Sequence, residues 1–168
     1  MIKLETPISN KDINNLKIGD KVLISGIIYT GRDAVLPKLK KIIQDEKIEL
    51  IPFDLNGSVF MHTAVSKSGI APTTSNKTEI ESSISLLSQS GVKIHIGKGS
   101  LSDKTIKSLK KENSIFFITP PVAAVLTDKV ISKEVVMFKE EGIESIFKLK
   151  VKAIPAIVAI AHGKSIYS

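Results

Sequence analysis

Arginine occurs once in this sequence: of the 24 basic residues, all but Arg32 are lysine. A planar guanidinium grips a carboxylate with two parallel hydrogen bonds, which a lysine ammonium cannot do. Arg32 stands in Thr30-Gly31-Arg32-Asp33, directly after an apolar run and ahead of a helical pattern. A second stretch, Ala71-Pro72-Thr73-Thr74-Ser75, places a row of hydroxyls before another helical pattern, with Lys77 close behind. Helix starts carry unpaired N–H groups and the positive end of the helix dipole, so both loops are natural anion sites. Together they could hold the two ends of a dicarboxylate. Gly97-Lys98-Gly99 adds a lysine on a turn whose glycines allow close backbone approach. Each feature alone also has a plain structural reading: a surface arginine, a helix cap, a solvated turn.

Other chemistries are poorly supplied. The chain has no cysteine, so a thiolate nucleophile, a disulfide framework and a self-contained iron-sulfur site are excluded. His62, His95 and His162 show no metal-ligand spacing with each other or with carboxylates and read as structural. There is no Gly-x-Ser-x-Gly elbow and no full phosphate-loop spacing around Lys98. The net charge of +7 invites a nucleic-acid reading. Against it, lysines interleave with acids, as in Lys38, Lys40 and Lys41 beside Asp45 and Glu46, and two Tyr with no Trp leave little for base stacking.

The elements that must position these residues follow from periodicity. A chain of 168 residues fits one domain, 1–168, and one core. No apolar run approaches the roughly 18 residues of a membrane span, and the start lacks a signal-peptide stretch, so the cytosol is the expected compartment. Residues 1–17 read as an N-terminal arm or cap. Residues 22–29 form a buried strand, after which Asp33 is the expected N-cap of a helix with Val35, Leu36, Leu39, Ile42 and Ile43 on its apolar face. Short strands at 48–51 and 58–62, joined by the turn at 54–57, suggest a hairpin. A second helix is capped by Ser75 or Asn76 and carries Ile80, Ile84 and Leu87. Val92, Ile94 and Ile96 alternate with Lys93 and His95 as a half-buried strand, and Ser102 or Asp103 caps a helix running to Lys111. Strands at 114–118, 134–138, 147–151 and 156–160 and a helix start at Pro120-Pro121 complete a layered α/β pattern.

In order along the chain, Gly19-Asp20, Ser25-Gly26, Thr30-Gly31-Arg32-Asp33-Ala34, Pro52-Phe53-Asp54-Leu55-Asn56-Gly57, Pro72-Thr73-Thr74-Ser75, Ile96-Gly97-Lys98-Gly99, Glu141-Gly142-Ile143-Glu144-Ser145-Ile146 and Pro155-Ala156 resemble the beta subunit, or C-terminal domain, of class I fumarases and L-tartrate dehydratases. The resemblance runs almost end to end. It implies an α/β swivelling β/β/α three-layer domain with a mixed central sheet, closing over a cysteine-bearing alpha subunit in an α2β2 assembly. That alpha subunit would carry a 4Fe-4S cluster whose free iron acts as a Lewis acid on the leaving hydroxyl. The implied activity is hydro-lyase: reversible hydration of fumarate to L-malate, with tartrate or another 2-hydroxy diacid, or a non-catalytic subunit of the same fold, as alternatives. No nucleic-acid or membrane partner is implied. Carried over by motif, Arg32 and Lys77 bind substrate, Lys98 binds substrate as the active-site lysine, and Thr73 is both a substrate ligand and the catalytic base. A threonine hydroxyl is a very weak acid, so nearby cations would have to stabilise its alkoxide.

The sequence also departs from the family pattern. Lys77 stands where a second arginine is usual, and Leu36 where a histidine is usual. The loop at 63–70 is short, and Pro120-Pro121-Val122-Ala123-Ala124 replaces a Gly-Gly-Ala segment with one lacking two N–H donors.

Overall fold

The computed structural model describes residues 1–67, 69, 70, 77–120 and 123–167. Its elements in chain order are β1 (Ile2–Glu5), α1 (Asn10–Asn14), β2 (Lys21–Gly31), α2 (Leu36–Gln44), β3 (Val59–His62), β4 (Val65–Ser66), β5 (Gly69–Ile70), α3 (Lys77–Gln89), β6 (Ile94–Gly97), α4 (Asp103–Lys111), β7 (Ile115–Ile118), α5 (Ala123–Thr127), β8 (Val130–Met137), β9 (Ile146–Ala161) and β10 (Lys164–Ser165). The mixed α/β class with a mixed central sheet is as the sequence predicts. Among the described residues no helix is long and apolar enough to cross a membrane.

The sheet closes on itself. β2, β3, β6 and β7 run parallel in that order, and β9 pairs antiparallel with both β7 and β2. Alternation then sends one residue set inward. Val22, Ile24 and Ile28 of β2, Val59 and Met61 of β3, Ile94 and Ile96 of β6, Ile115 and Phe117 of β7, and Leu149, Val151, Ile154, Ala156 and Val158 of β9 form a single buried cluster. The outward residues meet helices. Tyr29 and Phe60 pack with Leu36 and Leu39 of α2 and Leu87 of α3; Phe116 and Ile160 pack with Ile80 and Ile84 of α3 and Leu109 of α4.

The long β9 stays in one strand by means of a bulge. Ile24 faces Ile154 and Gly26 faces Val151, so two steps along β2 match three along β9. The extra residue switches the inward set of β9 from odd to even numbers. Ala153 takes the left-handed conformation there, with φ +58°, and its N–H donates to Ser25 Oγ at 2.8 Å. The two strands expected at 147–151 and 156–160 are the halves of this one.

Four further expectations are corrected. Residues 1–17, expected as an arm or cap, are built into the sheet and the core: β1 pairs parallel with β2, and Leu4, Ile8, Ile13 and Leu16 join the interior cluster. No hairpin forms across 54–57, because 48–50 is a single 3-10 turn and β3 lies parallel to β2. α2 begins at Leu36 behind Val35, with no side-chain cap, so Asp33 is not its N-cap. β6 is buried on both faces, because α3 covers the face that carries His95. By contrast Ser102 caps α4 through Thr105 N–H, and Pro37 sits in the first turn of α2, as the sequence indicates. The caps expected at Ser75 or Asn76, and Pro121, lie outside the described residues.

Two histidines sit beneath α3. His62 and His95 are fully buried, with ring centroids 5.8 Å apart and planes 22° from parallel. His95 Nε2 shares a hydrogen bond of 2.8 Å with Ser88 Oγ, whereas neither ring nitrogen of His62 has a partner among the described residues. Burial lowers the His62 pKa from 6.5 to about 4, and that of His95 falls well below its usual value through burial and the neighbouring His62. Both rings are therefore neutral in the folded chain while the unfolded chain takes up protons, so stability is complete above pH 6.5 and is lost as pH falls from there towards 4. Equilibrium urea unfolding should show His62 alone removing about 2 kcal/mol between pH 7 and pH 5. His62→Leu should flatten that part of the slope.

Candidate functional site

Because β2, β3, β6 and β7 are parallel, their C-terminal ends lie along one edge, where loops between strands and helices gather ligands in α/β folds. Register fixes what meets there. Gly31 pairs with His62, Met61 with Ile96, and Gly97 with Ile118. Arg32 and Lys98 each follow one of these glycines. They therefore leave the sheet on the same edge with one strand between them, about 10 Å apart at the backbone.

Both motif glycines have a packing reason. A Cβ on Gly31 would lie 3.0 Å from Phe60 Cζ and 2.9 Å from Val35 Cγ2, and one on Gly97 would lie 2.9 Å from Phe116 Cε1 and Cζ. The missing Cβ atoms seat two phenylalanines from neighbouring strands against the sheet. Gly99 is different: with φ +79° and open space around it, it is needed for the turn itself.

Arg32 begins the loop into α2. Its carbonyl accepts the N–H groups of Val35 and Leu36, at 3.0 and 3.1 Å, which closes the turn and starts the helix. Its side chain is 30% exposed, and Nη2 lies 3.5 Å from Glu144 Oε2. The other oxygen of Glu144 accepts the Ala34 N–H at 3.0 Å.

Glu144 ends the 3-10 segment Lys139–Glu144. Lys38 of α2 holds that segment from the helix side, its ammonium meeting Glu141 at 2.7 Å and Glu140 at 3.2 Å. The hydrogen bond to Glu141, above all, raises the Lys38 pKa. Ser145 Oγ donates to the Gly142 carbonyl at 2.7 Å and so fixes the end of the segment.

The expected site residues that the structure describes gather on this one edge. Arg32 and the exposed Lys98 share the edge. Lys77 is the first residue of α3, the helix that returns from the end of β3 to the start of β6, so its backbone starts on the same edge. Thr73 and the rest of Ala71-Pro72-Thr73-Thr74-Ser75 lie outside the described residues. Leu36, at the position where a histidine is usual, is fully buried and belongs to the packing between α2 and the sheet. Sequence reasoning misses Glu144. It lies 110 residues from Ala34; the available signals are that a lone arginine calls for a carboxylate and that Glu144 stands in one of the ordered motifs, Glu141-Gly142-Ile143-Glu144-Ser145-Ile146.

No iron-sulfur cluster fits these residues. Thiolate ligands are lacking because the chain has no cysteine, and among the described residues no three His, Asp or Glu side chains are grouped to hold a metal ion.

The model of a family described as fumarase C-terminus matches residues 1–168. A Geobacillus stearothermophilus protein provisionally named a class I fumarate hydratase is 33% identical over 99% of this chain, which spans only 34% of that protein's length. The L(+)-tartrate dehydratase subunit beta of Escherichia coli K12 is 31% identical over 97% of this chain and 85% of its own length. A Methanocaldococcus jannaschii protein provisionally named as the same subunit is 34% identical over 95% of this chain and 88% of its own length.

The glycine seats can be tested apart from any ligand. Gly97→Ala must displace Phe116 and should cost about 1–3 kcal/mol in denaturant unfolding. Gly99→Ser meets no neighbour and should cost only the strain of its positive φ, about 1 kcal/mol.

Proposed function

The chain belongs to the fumarase C-terminus family, and on that premise we propose that it is the beta subunit of a hydro-lyase acting on a four-carbon dicarboxylate, with fumarate and L-malate as the leading pair. The observation that carries the reading is the placement of the only arginine, beside Lys98 on the edge where the parallel strands end.

In this reading Arg32 takes one substrate carboxylate by its two-pronged face, and Lys98 and Lys77 hold the other by charge. Thr73 is the base: its oxygen takes the proton from the carbon next to a carboxylate as water is eliminated, and returns it on hydration. Cations converging on that edge favour the alkoxide this requires. A cysteine-bearing alpha subunit completes the site and carries the 4Fe-4S cluster. The chain acts as a swivelling three-layer β/β/α domain that closes over that subunit and excludes water.

Dehydration of tartrate is the second reading. It is favoured by the names of the Escherichia coli and Methanocaldococcus jannaschii relatives, which this chain matches over 85% and 88% of their lengths.

The test is anaerobic co-expression with the alpha subunit, followed by absorbance assays of malate, fumarate and tartrate turnover. Arg32→Ala should lower kcat/KM by about 10²-fold or more. Arg32→Lys should recover little of the loss, because the second hydrogen bond is missing. An intact cluster and complex that turn over none of the three substrates would sink the proposal. Activity that survives Arg32→Ala unchanged would mark the chain as a non-catalytic subunit.

A further inference from the structure

The contact between Arg32 and Glu144 is unusual for an ion pair with a structural task. A guanidinium that closes a stable pair approaches its carboxylate at about 2.7–2.9 Å, often with two bonds. Here a single terminal nitrogen lies 3.5 Å away. Glu144 is meanwhile held well without Arg32: the Ala34 N–H binds its other oxygen at 3.0 Å, Lys38 anchors Glu140 and Glu141 beside it, and Ser145 ties down the segment end. A fixed carboxylate thus faces a guanidinium that it does not saturate. A guanidinium has five N–H donors, and among the described residues Glu144 is the one acceptor that the Arg32 side chain meets.

We infer that Glu144 is the positioning residue of the carboxylate site. It braces the loop at Ala34 and draws Arg32 from one side, so that the free two-pronged face meets the ligand. The inference rests on the reading of Arg32 as the substrate's carboxylate ligand. It adds a residue from a segment far away in the sequence and makes the 3-10 segment part of the site. Glu144 touches no reacting atom and acts through Arg32 alone.

Glu144→Gln keeps an oxygen to accept the Ala34 N–H and removes the charge that draws Arg32. In the assembled enzyme it should lower kcat/KM about tenfold, with melting unchanged from wild type. Glu144→Asp, which keeps the charge on a shorter stem, should recover part of that loss. The decisive comparison is Glu144→Gln in an Arg32→Ala background, where the further effect should be less than twofold because the residue it acts through is gone.

Three results would overturn the inference. A loss that persists in the Arg32→Ala background would make Glu144 merely structural. Unchanged or improved kcat/KM in Glu144→Gln would make it irrelevant or a competitor for the arginine. Failure of wild type to bind succinate, an unreactive dicarboxylate, in calorimetry would remove the site itself. Failure of the functional reading looks different: wild type binds succinate yet turns over none of the three substrates. Succinate affinity then replaces kcat/KM in the same comparison of variants, with the same tenfold and twofold expectations.

Discussion

Everything in this domain depends on β9 pairing with two strands at once. By joining β7 on one side and β2 on the other it turns an open parallel sheet into a closed one, and closure leaves one interior for the inward residues of five strands. Closure also protects most strand edges, which would otherwise expose unpaired backbone groups. The cost is geometric: β9 must match β2 along nearly its whole length, and one bulge at Ala153 reconciles the two.

The same constraint decides where chemistry can occur. Four parallel strands in a closed sheet end on one rim, and α2, α3 and α4 pack outside them in a row. Every strand-to-helix loop of this part therefore opens on that rim. The sheet brings Arg32 and Lys98 together although neither touches the other, and their separation is set by hydrogen-bonded register rather than by the loops. Glu144 arrives from elsewhere, on the segment between β8 and β9, and gives the loop after β2 a fixed wall.

Much of this is legible in the sequence, because alternation and helical periodicity record burial directly. β2, α2, α3, α4 and β7 follow from their apolar patterns, and Ser102 from its place before one. The misreadings have specific causes. β9 reads as two strands because a bulge reverses the phase of its alternation and Pro155 interrupts its pattern. His95 reads as exposed because polarity in a strand suggests a solvent face, whereas α3 covers that face and Ser88 supplies the hydrogen bond. Asp33 reads as a cap because its residue type favours that position, but the turn closed by the Arg32 carbonyl delays the helix start to Leu36. Glu144 stands in one of the ordered motifs, but its pairing with the Arg32 loop is not legible because a contact across 110 residues leaves no local pattern. The ordered motifs identify the family, since they sample the whole chain rather than one loop.

The glycine seats separate two kinds of selection. Gly31 and Gly97 are held by the aromatic rings that press on them, whatever the rim binds, while in the proposed function the side chains of Arg32 and Lys98 would answer to the ligand. Pressure to keep the scaffold and pressure to recognise a substrate therefore fall on neighbouring but different positions. A lineage can exchange the recognising residue, as an arginine for a lysine, without disturbing the seat beside it. Change of ligand preference on an unchanged closed sheet is the evolutionary behaviour such an arrangement permits.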